Sequence, residues 1–182
     1  MNPSSNLFLV GPSGAGKTSI GRLLAAHYRL EFIDLDIEIE KHTGAPVAAV
    51  FELEGESGFR SRESDLLDQF SQRQGILLST GAGAVLDPRN GQRLRERGLV
   101  IWLQSSVEQQ LHRLQHDRHR PLLAGEDREQ RLQAMARIRT PLYAELAELS
   151  IPGEYESVTA ATARSIPLID RHWQRQTNAI TS

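Results

Sequence analysis

The stretch Gly11-Pro12-Ser13-Gly14-Ala15-Gly16-Lys17-Thr18 constrains this chain more than any other. It follows a short apolar run at residues 6–10. It opens a segment, residues 18–28, whose spacing sets Ile20, Leu23 and Leu24 on one helical face. A strand that stops at a glycine-rich turn and resumes as a helix is the context in which G-x-x-x-x-G-K-[ST] is credible as a phosphate loop. Glycines at 11, 14 and 16 let the backbone curl so that successive N–H groups face phosphate oxygens. The helix start adds the positive end of its dipole. In this chemistry Lys17 neutralises the β- and γ-phosphates, and the Thr18 hydroxyl ligates Mg²⁺. Gly14, Ala15, Gly16, Lys17, Thr18 and Ser19 are therefore the expected contacts of a nucleoside triphosphate.

The loop fixes one βα unit, and the rest of the chain repeats the alternation. Further strands are expected at residues 31–34, 75–79, 99–103 and 149–151. Helical text fills residues 36–72, with interruptions at 44–46 and 55–58. It returns at 88–97, at 106–114 with Ser106 as N-cap, at 127–148 with Pro141 as a break or a new first turn, and at 157–173. Residues 116–126 are polar, basic and broken by Pro121 and Gly125, so a loop is expected there. The end, 174–182, reads as a frayed tail. Strands and helices in this order imply an α/β fold with a parallel sheet covered on both faces. Ligands then bind at the carboxyl ends of the strands, where residues 11, 34 and 80 begin three suspicious turns.

Bulk composition narrows the class. With 182 residues, one domain suffices to bury a core. The net charge of -2 supplies no general field for nucleic acid, and no stretch is apolar enough to span a bilayer. The chain has no cysteine, which excludes disulfides and fits a cytoplasmic location. The basic run Arg113-Leu114-Gln115-His116-Asp117-Arg118-His119-Arg120 is short and holds no aromatic residue. It suits a lid over phosphates better than a nucleic-acid surface. His112, His116 and His119 stand at helical spacing, but Arg and Asp between them weaken a metal face.

The acceptor side is less determined. In an extended segment Asp34 and Asp36 would point the same way, one towards the Mg²⁺ shell through water and one towards a substrate hydroxyl. Equally, they could simply cap a helix. Arg60 and Arg139 could each grip a carboxylate with a guanidinium fork, or remain solvated as most arginines do.

Taken in order, several short motifs resemble the shikimate kinase family. They are the phosphate loop with Ile20-Gly21-Arg22, the Asp34-x-Asp36 pair, Phe59-Arg60-x-x-Glu63, Gly81-Ala82-Gly83, Arg120-Pro121-Leu122-Leu123, and Arg139-x-Pro141-Leu142-Tyr143. The resemblance covers residues 8–151 and implies a P-loop kinase fold, a five-stranded parallel sheet in three layers. It implies a core at 6–34, 75–110 and 128–173, a substrate-binding segment at about 35–62, and a lid at about 114–127. The implied reaction is phosphorylation of shikimate by ATP with Mg²⁺, in a monomer. The alternatives are a gluconate-type, adenylate-type or other small-metabolite P-loop kinase, or a catalytically silent nucleotide-binding relative. The resemblance implies Lys17, Asp36 and Arg120 as catalytic residues, with Asp36 on the acceptor hydroxyl. It puts Arg60 and Arg139 on the acceptor carboxylate, Phe59, Gly81, Ala82 and Gly83 around the ring, and Arg113 with Arg120 at the nucleotide. Thr18, and Asp34 through water, would serve the metal. The family usually has three glycines where this chain has Gly81-Ala82-Gly83. An ordinary φ at Ala82 is expected to make the methyl harmless. The stretch at 152–157 carries no recognisable pattern.

Overall fold

The computed structural model describes residues 3–115 and 127–174. Its centre is strand β1, Leu7–Val10, fully buried along its length. An apolar run with no alternation suits a strand covered on both faces. β1 pairs in parallel with β3, Ile76–Ser79, on one side and β4, Leu99–Leu103, on the other. β2, Glu31–Asp34, flanks β3, and β5, Leu149–Ile151, flanks β4, so the order is β2-β3-β1-β4-β5. The strand order reverses beside β1, and that is where the phosphate loop emerges.

Helices cover the two faces. Helix α1, Lys17–Tyr28, and helix α7, Val158–His172, pack on Leu7, Leu9, Leu77 and Ile101. Helices α2, Leu35–Thr43, α3, Val47–Ser71, α4, Pro88–Arg97, and α6, Arg128–Leu146, share the other face, where Phe8, Leu78 and Val100 are fully buried. Truncating such a strand residue, Leu78→Ala for instance, should cost about 2–5 kcal/mol. A short 3₁₀ turn, Ala84–Leu86, follows β3. Helix α5, Val107–Leu114, starts with a capping box in which Ser106 and Gln109 satisfy each other's backbone N–H. Its Leu114 packs against Leu132 of α6.

Three local expectations change. Leu23 is 41% exposed, because the stripe that α1 lays on the sheet is Ile20, Gly21, Leu24 and Ala25. Pro141 sits inside α6 without ending it. The carbonyl it leaves without an N–H belongs to Arg137, an exposed position that water can serve. Of residues 55–58, only Gly55 departs from helical geometry, with φ 70°. The tail beyond residue 174, and most of the expected lid, lie outside the described residues. Among the described residues no helix is long and apolar enough to cross a membrane.

Candidate active site

The ends of β1, β2 and β3 meet at one edge. Register pairs Leu9 and Asp34 with Ser79, and Thr80 donates both its N–H (3.1 Å) and its hydroxyl (3.0 Å) to the Leu9 carbonyl. A cavity of about 390 Å³ covers these ends. Residues 14–20, Asp34, Asp36, Ser79, Thr80 and Ala82 line it. The phosphate loop and both acidic residues thus share one space.

The loop takes its shape from glycine. Gly14 and Gly16 have φ of 79° and 89°, conformations costly for any side chain. Gly16 leads straight into α1 with no side-chain cap, so the positive end of the helix faces the loop, where an anion is favoured. Lys17 is nearly buried, and its ammonium donates to the carbonyls of Gly11 (2.7 Å) and Pro12 (2.9 Å), clasping the loop.

Asp34 caps α2, one of the two readings open from the sequence, and it also turns an oxygen towards the phosphate loop. Its Oδ1 accepts the N–H groups of Asp36 (3.1 Å) and Ile37 (3.3 Å), capping α2. Its Oδ2 accepts the Thr18 hydroxyl at 2.6 Å. Asp36 is not in extended chain, as the two-residue spacing suggested, but in the first turn of α2. It reaches the same cavity by that route.

The Gly81-Ala82-Gly83 turn follows β3. Ala82 does not have a positive φ, and its carbonyl accepts the Tyr143 hydroxyl at 2.5 Å. Its neighbours are glycine for reasons of space. A Cβ on Gly81 would lie 2.3 Å from Glu63 Oε1, and one on Gly83 would lie 2.2 Å from Arg60 Nη2. Arg60 Nη1 donates to Glu63 Oε2 at 2.6 Å, while Arg60 Nε and Glu63 Oε1 are buried without a hydrogen-bond partner. Burial pushes the Glu63 carboxyl above its ordinary pKa against the pull of Arg60, and Asp36 adds to the rise. Burial likewise pulls the Arg139 guanidinium down, and Arg60 adds to that fall. Asp36, Arg60, Glu63 and Arg139 therefore form one electrostatic group.

Not every expected residue lines the phosphate cavity. Arg60 lines neither that cavity nor the larger one beside it, which Arg139 does line. Phe59 is 3% exposed and packs on Phe51 at 4.4 Å between ring centroids, with the Arg60 guanidinium 5.3 Å over its ring. Arg113, by contrast, does line the phosphate cavity, and it donates to the carbonyls of Gly14 (2.9 Å) and Glu154 (2.9 Å), tying α5 to the phosphate loop and to the turn before α7. Arg120 and the motif through Leu123 lie outside the described residues, as do His116 and His119. Among the described residues no group of three or more His, Cys, Asp or Glu could hold a metal. Glu63 and Tyr143 carry no role in the reading of the sequence. Their only signal was their place in the motifs with Arg60 and Arg139.

A family model described as shikimate kinase matches residues 13–169. A shikimate kinase from Xanthomonas axonopodis pv. citri is 47% identical over 178 residues, spanning 98% of this chain and 99% of that one. The solved shikimate kinase from Acinetobacter baumannii in complex with shikimate superposes with a TM-score of 0.90 at 42% identity, over 93% of this chain and 94% of that one. A gluconokinase from Sinorhizobium meliloti shares the fold alone, with a TM-score of 0.61 at 17% identity over 93% of each chain. The phosphate loop, the acidic pair at the β2 end and the match across nearly the whole length agree, and the chain belongs to the shikimate kinase family.

Proposed function

We propose that the chain transfers the γ-phosphoryl group of ATP to the 3-hydroxyl of shikimate, giving ADP and shikimate 3-phosphate. The observation that carries the reading is the single cavity that joins the phosphate loop to Asp36, with the arginines of the same electrostatic group behind the Gly81-Ala82-Gly83 turn. The loop N–H groups and Lys17 hold the β- and γ-phosphates. The Thr18 hydroxyl and Asp34 Oδ2, hard oxygens 2.6 Å apart, fit a Mg²⁺ site, Asp34 acting through water. Bound there, Mg²⁺ would neutralise charge on the β- and γ-oxygens.

On the acceptor side, Arg60 and Arg139 bind the shikimate carboxylate, and the Gly81, Ala82 and Gly83 backbone meets the ring hydroxyls. Phe59 acts from the core, as the floor beneath Arg60. Asp36 orients the 3-hydroxyl and receives its proton as the oxygen–phosphorus bond forms and the bond from Pγ to the β,γ-bridging oxygen breaks. A loose transition state leaves positioning and charge neutralisation as the main sources of rate. Arg113 lies at the nucleotide, and Arg120 closes over the phosphates with the lid at about 114–127. The segment at about 35–62 carries the acceptor. The enzyme acts as a monomer in the cytoplasm and needs neither nucleic acid nor a membrane.

A coupled assay of ADP release tests the reading, run with ATP and Mg²⁺ and with shikimate, gluconate or no acceptor. Release that depends on shikimate is expected. Release that depends on gluconate instead would overturn the acceptor assignment, and no release with any acceptor would mark a silent nucleotide-binding protein.

A further inference from the structure

The phosphate loop has a second cavity on its other flank, about 410 Å³ in volume and over the ends of β4 and β5. Asp34, Asp36 and Ala82 do not line it. Pro12 and Ser13 form one wall, the first turn of α5 another, and α6 closes it. Two features give it a chemistry. Trp102 and Tyr143 stand 5.9 Å apart between ring centroids, tilted by 31°, and with Leu132 and Met135 they make an apolar, aromatic lining. Among the described residues Arg139 is the one charged side chain of the lining, 9% exposed, and no described carboxylate lies within ion-pair distance of it. Tyr143 and the more distant Glu56 and Glu63 offset the desolvation of this guanidinium only in part, and an anion brought into the cavity would offset more of it. The volume falls within the usual range of small-molecule sites.

We propose that this cavity binds small aromatic monocarboxylates, with the ring against Trp102 and Tyr143 and the carboxylate on Arg139. Arg139 is also the guanidinium that the proposed reaction assigns to the acceptor. An occupant of this cavity therefore competes with shikimate and not with ATP. That consequence rests on the proposed function, whereas binding itself does not.

Benzoate is the probe, and benzamide, equal in shape but uncharged, is its control. Calorimetry without ATP or acceptor should show benzoate binding, with benzamide weaker by about tenfold or more. Benzoate should raise the apparent KM for shikimate with kcat unchanged. Ala136→Phe and Val107→Phe fill the cavity from α6 and α5. Each should weaken benzoate by about tenfold while the shikimate KM stays within about twofold. Absence of benzoate binding, or a benzoate affinity unchanged in both variants, overturns the proposal. Benzoate binding without any shikimate-dependent turnover would remove the functional reading and leave this site standing.

Discussion

Replacing Gly83 by alanine should weaken acceptor binding and spare the nucleotide. The new Cβ would lie 2.2 Å from Arg60 Nη2, 2.4 Å from Cζ and 2.6 Å from Nη1. Non-bonded heavy atoms rest at about 3.5 Å, so the guanidinium must retreat by more than about 1 Å. Gly83 itself has φ -96°, which alanine adopts freely, so the effect falls on Arg60 rather than on the turn. Arg60 cannot move without disturbing its 2.6 Å bond to Glu63, a side chain held at 1% exposure. Losing one hydrogen bond to a charged group costs about 1.5–3 kcal/mol, equivalent to roughly a tenfold to hundredfold rise in the shikimate KM. Steady-state ADP release across shikimate and ATP concentrations measures it, with thermal melting as the check on folding. A folded Gly83→Ala enzyme whose shikimate KM stays within about twofold of wild type would refute the reasoning, because Arg60 would then not hold the acceptor.

The other expectations are smaller or more direct. Ala82→Gly should change activity little and cost roughly 0.5–1 kcal/mol of stability, read from denaturant midpoints; a large gain in turnover would show Ala82 to be a defect. Arg139→Lys should raise the shikimate KM roughly tenfold or more, since an ammonium cannot replace a bidentate fork, and an unchanged KM would put the carboxylate elsewhere. Asp36→Asn should lower turnover by roughly a hundredfold or more while ATP still binds, and near-normal turnover would remove Asp36 from the proton path. Glu63→Gln tests the sign of a buried carboxyl. Its folded pKa is raised, so its contribution to stability is full below the ordinary glutamate value and is lost as pH rises through the folded value. Wild type should therefore lose melting temperature relative to Glu63→Gln as pH rises from about 4.5 towards neutrality. A constant gap, or one of opposite sign, would contradict the burial argument.

The five strands were legible because buried parallel strands are short apolar runs bounded by turn residues, and Leu99–Leu103 and Glu31–Asp34 fall where the pattern put them. The face of α1 was misjudged because two helical stripes were compatible with Ile20, Leu23 and Leu24. Only the sheet beneath, with Phe32 and Leu9 close to Gly21, selects the narrower one. The exchange between Glu63 and Gly81 was beyond local reading. A glutamate within a long helix looks solvated until a turn nearly twenty residues later closes over it. The dual role of Asp34 was hidden for a related reason, since Thr18 lies a whole βα unit away.

That dual role narrows what position 34 can hold. Serine, threonine or asparagine could each end a strand and begin α2, and on helix grounds alone the choice would be nearly free. The oxygen turned towards Thr18 removes that freedom, because only a carboxylate offers a second anionic acceptor while the first is engaged. Tolerance at the start of α2 is thus set by a partner on another helix, and a scan of helix stability alone would rank the substitutions in the wrong order.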